Sequence, residues 1–221
     1  MIKIENVDVY GWEAAIRGAR NPMNSWDRSD SYWGMWEDES PINPNDELFF
    51  FVGENDLKLL KNLSKAGDDH GKYLRMINVT LDITCHQVWW AEFDTYKIAT
   101  VRNSCSKMHK IHAKPFEVDD ISHEGCDQVE YAGTALADVM AICERLRNDF
   151  NSTKEKKYWR ALIELLPEGY NMRATVQLNY AVLKNMYHAR KNHKLDEWRV
   201  FCEWIESLPY SELITGRDDR A

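Results

Sequence analysis

The alternation of apolar and polar residues predicts two strands in the first half of the chain. Residues 2–9 alternate imperfectly, whereas residues 77–83 alternate strictly, with an aliphatic side chain at every odd position. Because neighbouring side chains of a strand point to opposite faces, the second strand should have one buried face and one polar face. This pattern is typical of a sheet that is covered on one side only.

Apolar residues at helical spacing predict several helices around these strands. They follow Gly11 as far as Asn21, and they occur at about 56–65, within 85–93, at about 133–150 and after a capping-box sequence at 152–155. The segment 94–110 is expected to be a polar hairpin. The whole chain, 1–221, is therefore predicted to be one domain of the α+β (mixed α/β) class.

Residues 166–208 indicate a turn followed by two amphipathic helices with polar residues in unusual places. On a helix, Asn179 and Arg190 would share one apolar stripe with Leu183 and Met186. A guanidinium that faces a core needs a carboxylate or an anionic ligand. The sequence leaves both open, because an arginine at the end of such a stripe can be a structural ion-pair partner or extend to solvent.

Composition excludes some classes of function. The net charge of −8 argues against a duplex-DNA binder, although a small anionic ligand remains compatible with it. Five scattered cysteines without a CxxC pair indicate reduced thiols and a cytoplasmic protein. We expect no export signal and no membrane span, because no stretch approaches eighteen apolar residues.

The segment 94–110 is a second candidate site. It combines basic residues, among them Lys97, Lys107 and Lys110, with five hydroxyl-bearing side chains. Such a mixture suits phosphate binding, but the polar face of a hairpin would have the same composition. Cys105 could act as a nucleophile, and no metal site is predicted because Cys105 and its neighbouring histidines lack a fourth ligand.

A long polar segment, 21–46, contains three tryptophans, Trp26, Trp33 and Trp36. A loop of that length is often functional, and a lid over a site is one interpretation. The alternatives are that the tryptophans only fix the loop to the core, or that they form an interaction surface.

The end of the chain resembles the flavin-dependent thymidylate synthases. The resemblance rests on Leu166-Pro167 followed by the spacing Asn179-x3-Leu183-x-Asn185-x4-Arg190. It implies a central, largely antiparallel sheet flanked by helices. It also implies that Asn179 and Asn185 contact a flavin and that Arg190 contacts dUMP.

The family signature, Arg-His-Arg followed after seven residues by Ser, is degenerate in this chain. Here Thr95-Tyr96-Lys97 and Cys105 occupy those positions, so the charge of the first Arg and His is lost. Glu92 replaces a glutamine that contacts substrate, and Asn103 replaces a glutamate. A looser match places His70 in a flavin-contacting turn.

The resemblance implies transfer of a one-carbon unit from methylenetetrahydrofolate to C5 of dUMP, or of a related pyrimidine deoxynucleotide, by FAD that NADPH has reduced. It implies a homotetramer with its sites between subunits. The implied substrate contacts are Glu92, Asn103, Cys105, Ser106, Lys107 and Arg190, the implied flavin contacts are His70, Thr95, Tyr96, Lys97, Asn179 and Asn185, and Arg190 and Lys97 would be catalytic. The alternative is a flavin-free descendant that binds a nucleotide or a protein partner.

Overall fold

The computed structural model describes residues 1–35 and 49–217. Its strands are β1 (Lys3–Tyr10), β2 (Tyr32–Gly34), β3 (Phe49–Phe51), β4 (Asn78–His86), β5 (Val101–Ser104) and β6 (Asn171–Asn179). Its α-helices are α1 (Trp12–Arg20), α2 (Glu54–Lys65), α3 (Gln87–Phe93), α4 (Lys107–Lys110), α5 (Glu130–Thr153), α6 (Lys156–Leu165), α7 (Tyr180–Arg190), α8 (Asp196–Glu206) and α9 (Glu212–Thr215). No helix in this part of the chain is long and apolar enough to span a membrane.

Four strands form one antiparallel sheet in the order β1-β4-β6-β5. The longest pairing joins β4 to β6, from Asn78 opposite Asn179 to His86 opposite Asn171. Helices flank this sheet, so the predicted α+β class with a central antiparallel sheet is confirmed.

The two faces of the sheet differ as the alternation of β4 predicts. Val79, Leu81 and Ile83 are almost fully buried in the main core. On the opposite face, Asp82 accepts hydrogen bonds from Thr175 and Arg173 of β6. Burial of the aliphatic side chains fixes the register, because a shift by one residue would expose them.

The prediction of a turn and two helices for residues 166–208 is wrong in its first part. The segment Asn171–Asn179 is β6, and only α7 and α8 are helical as expected. In β6, Ala174, Val176 and Leu178 are buried and alternate with exposed polar residues. The prediction missed β6 because no loop separates this strand from α7.

The predicted hairpin at 94–110 is also wrong. Its only strand, β5, pairs with β6 at the edge of the sheet, and a turn precedes it. Within the tryptophan-containing segment 21–46, β2 pairs with β3, whereas residues 36–46, including Trp36, lie outside the described part.

A buried ion pair joins α1 to α2. The Nε of Arg20 lies 2.5 Å from Oδ1 of Asp56, and both side chains are almost completely buried. The other oxygen of Asp56 accepts hydrogen bonds from the hydroxyls of Ser29 and Ser31, each at 2.6 Å. This carboxylate therefore fixes the segment that follows α1.

Candidate functional site

The helix that carries Arg190 starts directly from the sheet. Asn179 is both the last residue of β6 and the N-cap of α7, and its side-chain oxygen accepts a hydrogen bond of 3.1 Å from the N–H of Val182. Leu183 and Met186 are fully buried, as their position on the stripe predicts. The sequence placed Asn179 within the helix, whereas it lies at the boundary, which suits its preference for N-cap positions.

Arg190, at the end of α7, is held by an ion pair. Its Nη1 lies 2.7 Å from Oε2 of Glu92 at the end of α3, and its Nε donates a hydrogen bond of 2.9 Å to the hydroxyl of Tyr96. The guanidinium carbon lies 4.8 Å from the ring centroid of Trp198, within the range of a cation–π contact. Of the two partners that the sequence left open, a carboxylate is present.

Glu92 connects three elements through one oxygen. Its Oε2 also accepts a hydrogen bond of 2.9 Å from the indole of Trp198 and lies 3.3 Å from Nε2 of His193. Its Oε1 has no hydrogen-bond partner within the described residues. We call the set of Arg190, Glu92, Tyr96, Trp198 and His193 the Glu92 cluster.

Two histidines hold α3 and α8 together in a reciprocal way. Nδ1 of His86 accepts the N–H of Trp89 at the start of α3, while its Nε2 lies 3.2 Å from Glu197 of α8. Nδ1 of His193 accepts the N–H of Leu195 just before α8, while its Nε2 faces the cluster carboxylate on α3. An Nδ1 that accepts a backbone N–H leaves the proton on Nε2, so each imidazole donates to its carboxylate.

The side chains at the signature positions before β5 are only partly available to a ligand. The Thr95 hydroxyl donates to the carbonyl oxygen of Glu92 at 2.7 Å. Lys97 is exposed and has no ion-pair partner in the part of the chain that the structure describes. Arg102 pairs with Asp94 at 2.6 Å and is therefore less available to a ligand than its sequence position suggested.

Cys105, Ser106 and Lys107 line one cavity of about 470 Å³. Ser106 caps α4, and Lys107 donates a hydrogen bond to Gln87 at the start of α3. Lys110 also lines the cavity and has no ion-pair partner among residues 1–35 and 49–217. This group of side chains offers two ammonium groups and a hydroxyl to a ligand. We call it the Lys107 cavity.

Internal carboxylates neutralise the other cations of the Lys107 cavity. Lys114 lies 2.9 Å from Asp120, and this hydrogen bond raises the pKa of the lysine. Arg173 lies 2.8 Å from Asp82 on the polar face of the sheet. Burial raises the pKa of Tyr170, which also lines the cavity, so its hydroxyl stays protonated and can donate a hydrogen bond.

Three other predicted contacts lie outside both groups. His70, Asn185 and Asn103 are exposed, and none has a side-chain partner within the described residues. Asn185 lies outside the apolar stripe of α7 that ends at Arg190, and its exposure agrees with that position. The structure therefore brings together Arg190, Glu92 and Tyr96.

The sequence did not identify several residues that complete the two groups. Trp198 and His193 contact Glu92, and Tyr170 and Arg173 line the Lys107 cavity together with Lys110, which the sequence did predict. The amphipathic pattern of α8 contained a signal for Trp198, because a buried indole N–H requires an acceptor.

Comparison with known proteins defines the class of fold. No family model and no curated protein matches the sequence. Among solved structures, two of flavin-dependent thymidylate synthase ThyX from Helicobacter pylori with FAD and dUMP are 14% identical, with TM-scores of 0.67 and 0.66, and the alignment covers 96% of both chains. The UMP/dUMP methylase PolB from Streptomyces cacaoi, bound with 5-Br dUMP, is 16% identical over 98% of this chain and 95% of that one, with a TM-score of 0.65.

This chain is thus an α+β protein whose four-stranded antiparallel sheet continues directly into the helix that carries the candidate arginine. More specifically, it has the fold of the flavin-dependent thymidylate synthases over almost its whole length. The fold expected from the resemblance is confirmed at an identity low enough to indicate a divergent sequence.

Proposed function

We propose that this protein transfers a one-carbon unit to C5 of dUMP or of a related pyrimidine deoxynucleotide, using reduced FAD. The observation that carries the proposal is the agreement in fold, over almost the entire chain, with proteins solved with dUMP or 5-Br dUMP. Methylenetetrahydrofolate is the proposed carbon donor and NADPH the proposed reductant.

The nucleotide is bound by the two groups of residues described above. Arg190 orients the pyrimidine, because Glu92 and Tyr96 fix the plane of its guanidinium. Ser106, Lys107 and the unpaired Lys110 bind the phosphate, since a hydroxyl and two ammonium groups complement its charge. Cys105 and Asn103 are additional substrate contacts in this proposal.

The residues present fit an anionic cofactor such as FAD. His70, Lys97 and Asn185 are exposed donors without partners among the described residues, and a diphosphate requires such donors. Asn179 is buried, and its amide nitrogen has no partner in the described part of the chain, so it can donate to a flavin carbonyl. Thr95 and Tyr96 would contribute mainly by shape. Bound FAD would supply the hydride chemistry, and Lys97 would stabilise negative charge beside it.

The dispersed positions of the flavin contacts support a homotetramer with shared sites. His70 and Asn185 are exposed at the surface of one chain, and neither has a side-chain partner within the described residues. A second copy of the chain would supply the missing walls, as in other symmetric oligomers with sites between subunits.

The first test is the visible absorption spectrum of purified protein after addition of FAD and dUMP and removal of unbound ligand. We expect a retained flavin spectrum that changes with dUMP. Release of tritium from C5-labelled dUMP should then require FAD, NADPH and methylenetetrahydrofolate together. Unlabelled dCMP as a competitor would show whether the site also accepts a cytosine deoxynucleotide. Absence of flavin binding would contradict the proposal.

One observation favours a second candidate, a flavin-free nucleotide binder. The hydroxyls of Thr95 and Tyr96 are used within the chain, and neither residue carries the charge of the family signature. A colourless protein that binds dUMP without tritium release would support this alternative over the enzyme.

A further inference from the structure

A cavity of about 620 Å³ lies between the end of β1, the start of α1, the β2–β3 hairpin and residues 209–210. Seven of its thirteen lining residues are aromatic, including Tyr10, Trp12, Trp33 and Tyr210. We call it the aromatic cavity. Its volume falls within the range of roughly 300–1,000 Å³ that small-molecule sites occupy.

Hydrogen bonds hold three of these rings in place without a ligand. The indole N–H of Trp33 donates to Glu13 at 3.2 Å. The hydroxyl of Tyr210 accepts the backbone N–H of Val52 at 3.3 Å, and the hydroxyl of Tyr10 accepts from Gln177 at 3.1 Å. Rings that are already ordered lose little conformational freedom when a ligand binds between them.

The charges that line the aromatic cavity are all negative. Asp8 and Glu13 line it, whereas no Lys, Arg or His does so within the described ranges. Asp8 has no side-chain partner among those residues. Glu13 pairs with the exposed Arg17 of its own helix, but the distance of 3.7 Å is long for an ion pair.

We propose that the aromatic cavity binds a small organic cation with an aromatic ring or a methylated ammonium group. Aromatic rings attract such cations through their quadrupoles, and two carboxylates add Coulombic attraction. The same carboxylates repel phosphate, so the cavity is distinct from the nucleotide site and does not depend on the proposed methylation activity.

The test compares two ligands of equal shape that differ in charge, meta-hydroxyphenyltrimethylammonium and meta-tert-butylphenol. Each is titrated into the full-length protein, and binding is followed by tryptophan fluorescence and calorimetry. We expect the dissociation constant of the cation to be lower by about tenfold or more, since the two ligands differ only in the interactions of the positive charge.

Isosteric variants assign the binding to this cavity. The double variant Asp8→Asn with Glu13→Gln removes both charges but keeps an acceptor for Trp33. It should lower the affinity for the cation by about tenfold and leave the affinity for the neutral ligand almost unchanged. Trp33→Ala should weaken both ligands. Two matched controls, Asp69→Asn and Trp26→Ala, alter an exposed carboxylate and an exposed indole that do not line the cavity and should have no effect.

Equal affinities for the cation and its neutral analogue would overturn the proposal. An unchanged affinity for the cation in the double variant or in Trp33→Ala would do so as well, because the cation would then bind elsewhere. Thermal unfolding of each variant checks that the fold is intact, and the single variant Asp8→Asn, at an exposed position, provides the comparison if the double variant unfolds.

Discussion

Two arginine–carboxylate pairs in this molecule have the same chemistry and different surroundings. In the pair of Arg20 and Asp56, the side chains are 6% and 0% exposed, and the second carboxylate oxygen accepts two hydroxyls and two backbone N–H groups. In the pair of Arg190 and Glu92, the side chains are 18% and 31% exposed, and one carboxylate oxygen has no partner within the described residues.

The difference indicates two uses of one interaction. The first pair, which we call the closed pair, is almost completely buried, and both oxygens of Asp56 accept hydrogen bonds within the protein, so its role is to stabilise the fold. The second pair, which we call the open pair, holds Arg190 at a more exposed position, and its second terminal nitrogen has no hydrogen-bond partner within the described residues, so the guanidinium can still donate to a nucleotide. We therefore expect mutations to separate stability from ligand binding.

The largest expected effect is on stability at the closed pair. Asp56→Ala leaves Arg20 buried without a counter-ion, and the free energy of unfolding should fall by about 3–5 kcal/mol in urea titrations. The affinity for dUMP should not change. Asp69→Ala, at a carboxylate whose side chain is 98% exposed, is the control and should be neutral. A small loss in Asp56→Ala would mean that the two pairs do not differ as described.

The next effect is on ligand binding at the open pair. Arg190→Ala should lower the affinity for dUMP by about tenfold or more, while the free energy of unfolding changes by less than about 2 kcal/mol. Isothermal titration calorimetry and urea unfolding provide the two measurements, and Arg199→Ala is the control for an exposed arginine of α8. Unchanged affinity with a large loss of stability would make Arg190 a structural residue.

The closed pair should also set part of the acid sensitivity of the protein. Burial alone would raise the pKa of Asp56, but hydrogen bonds from Ser29, Ser31 and Arg20 outweigh it and hold the pKa below its ordinary value. Because the folded-state pKa is lowered, the contribution of Asp56 is complete above the ordinary aspartate pKa of about 3.9 and is lost as the pH falls through the lower folded-state value. Between about pH 5 and pH 3, the stability of Asp56→Asn should depend less on pH than that of the unaltered protein. Equal slopes in urea titrations would exclude this contribution.

The smallest effect tests the role of the counter-charge at the open pair. Glu92→Gln keeps an acceptor for Trp198 but removes the charge that competes for Arg190, so the affinity for dUMP should rise by about twofold to fivefold. Glu203→Gln, an exposed position on α8, is the control. A weaker affinity would mean that the charge of Glu92 is needed, either to position Arg190 or to contact the nucleotide as the resemblance implies, and that it does not compete with the ligand.

Sequence patterns predicted the fold where a segment was long and regular. The strict alternation of β4 and the apolar spacing of α5 were sufficient. The same alternation in β6 was overlooked, because its apolar residues merge with those of α7 and Asn179 was interpreted as part of the helix. Asn179 was itself the signal, since asparagine is preferred at N-caps and could have marked the boundary.

The sequence predicted that Arg190 requires a partner, but it did not predict which residue supplies that partner. The stripe on α7 required a carboxylate or an anion for Arg190, and a carboxylate is there. That it comes from Glu92, 98 positions earlier in the chain, depends on how α3 packs against α7 and α8, which no local pattern encodes. The hydrogen bonds of His86 and His193 that hold these helices depend on the same packing.

Because β6 continues directly into α7, the angular position of Arg190 around the helix axis is fixed relative to the sheet. Asn179 ends the strand and caps the helix, so no loop can absorb a change in chain length between the sheet and Arg190. One residue inserted after Asn179 would rotate the guanidinium by about 100° around the helix axis and carry it about 1.5 Å along it. Homologous chains that share this site should vary in length almost anywhere except across this junction.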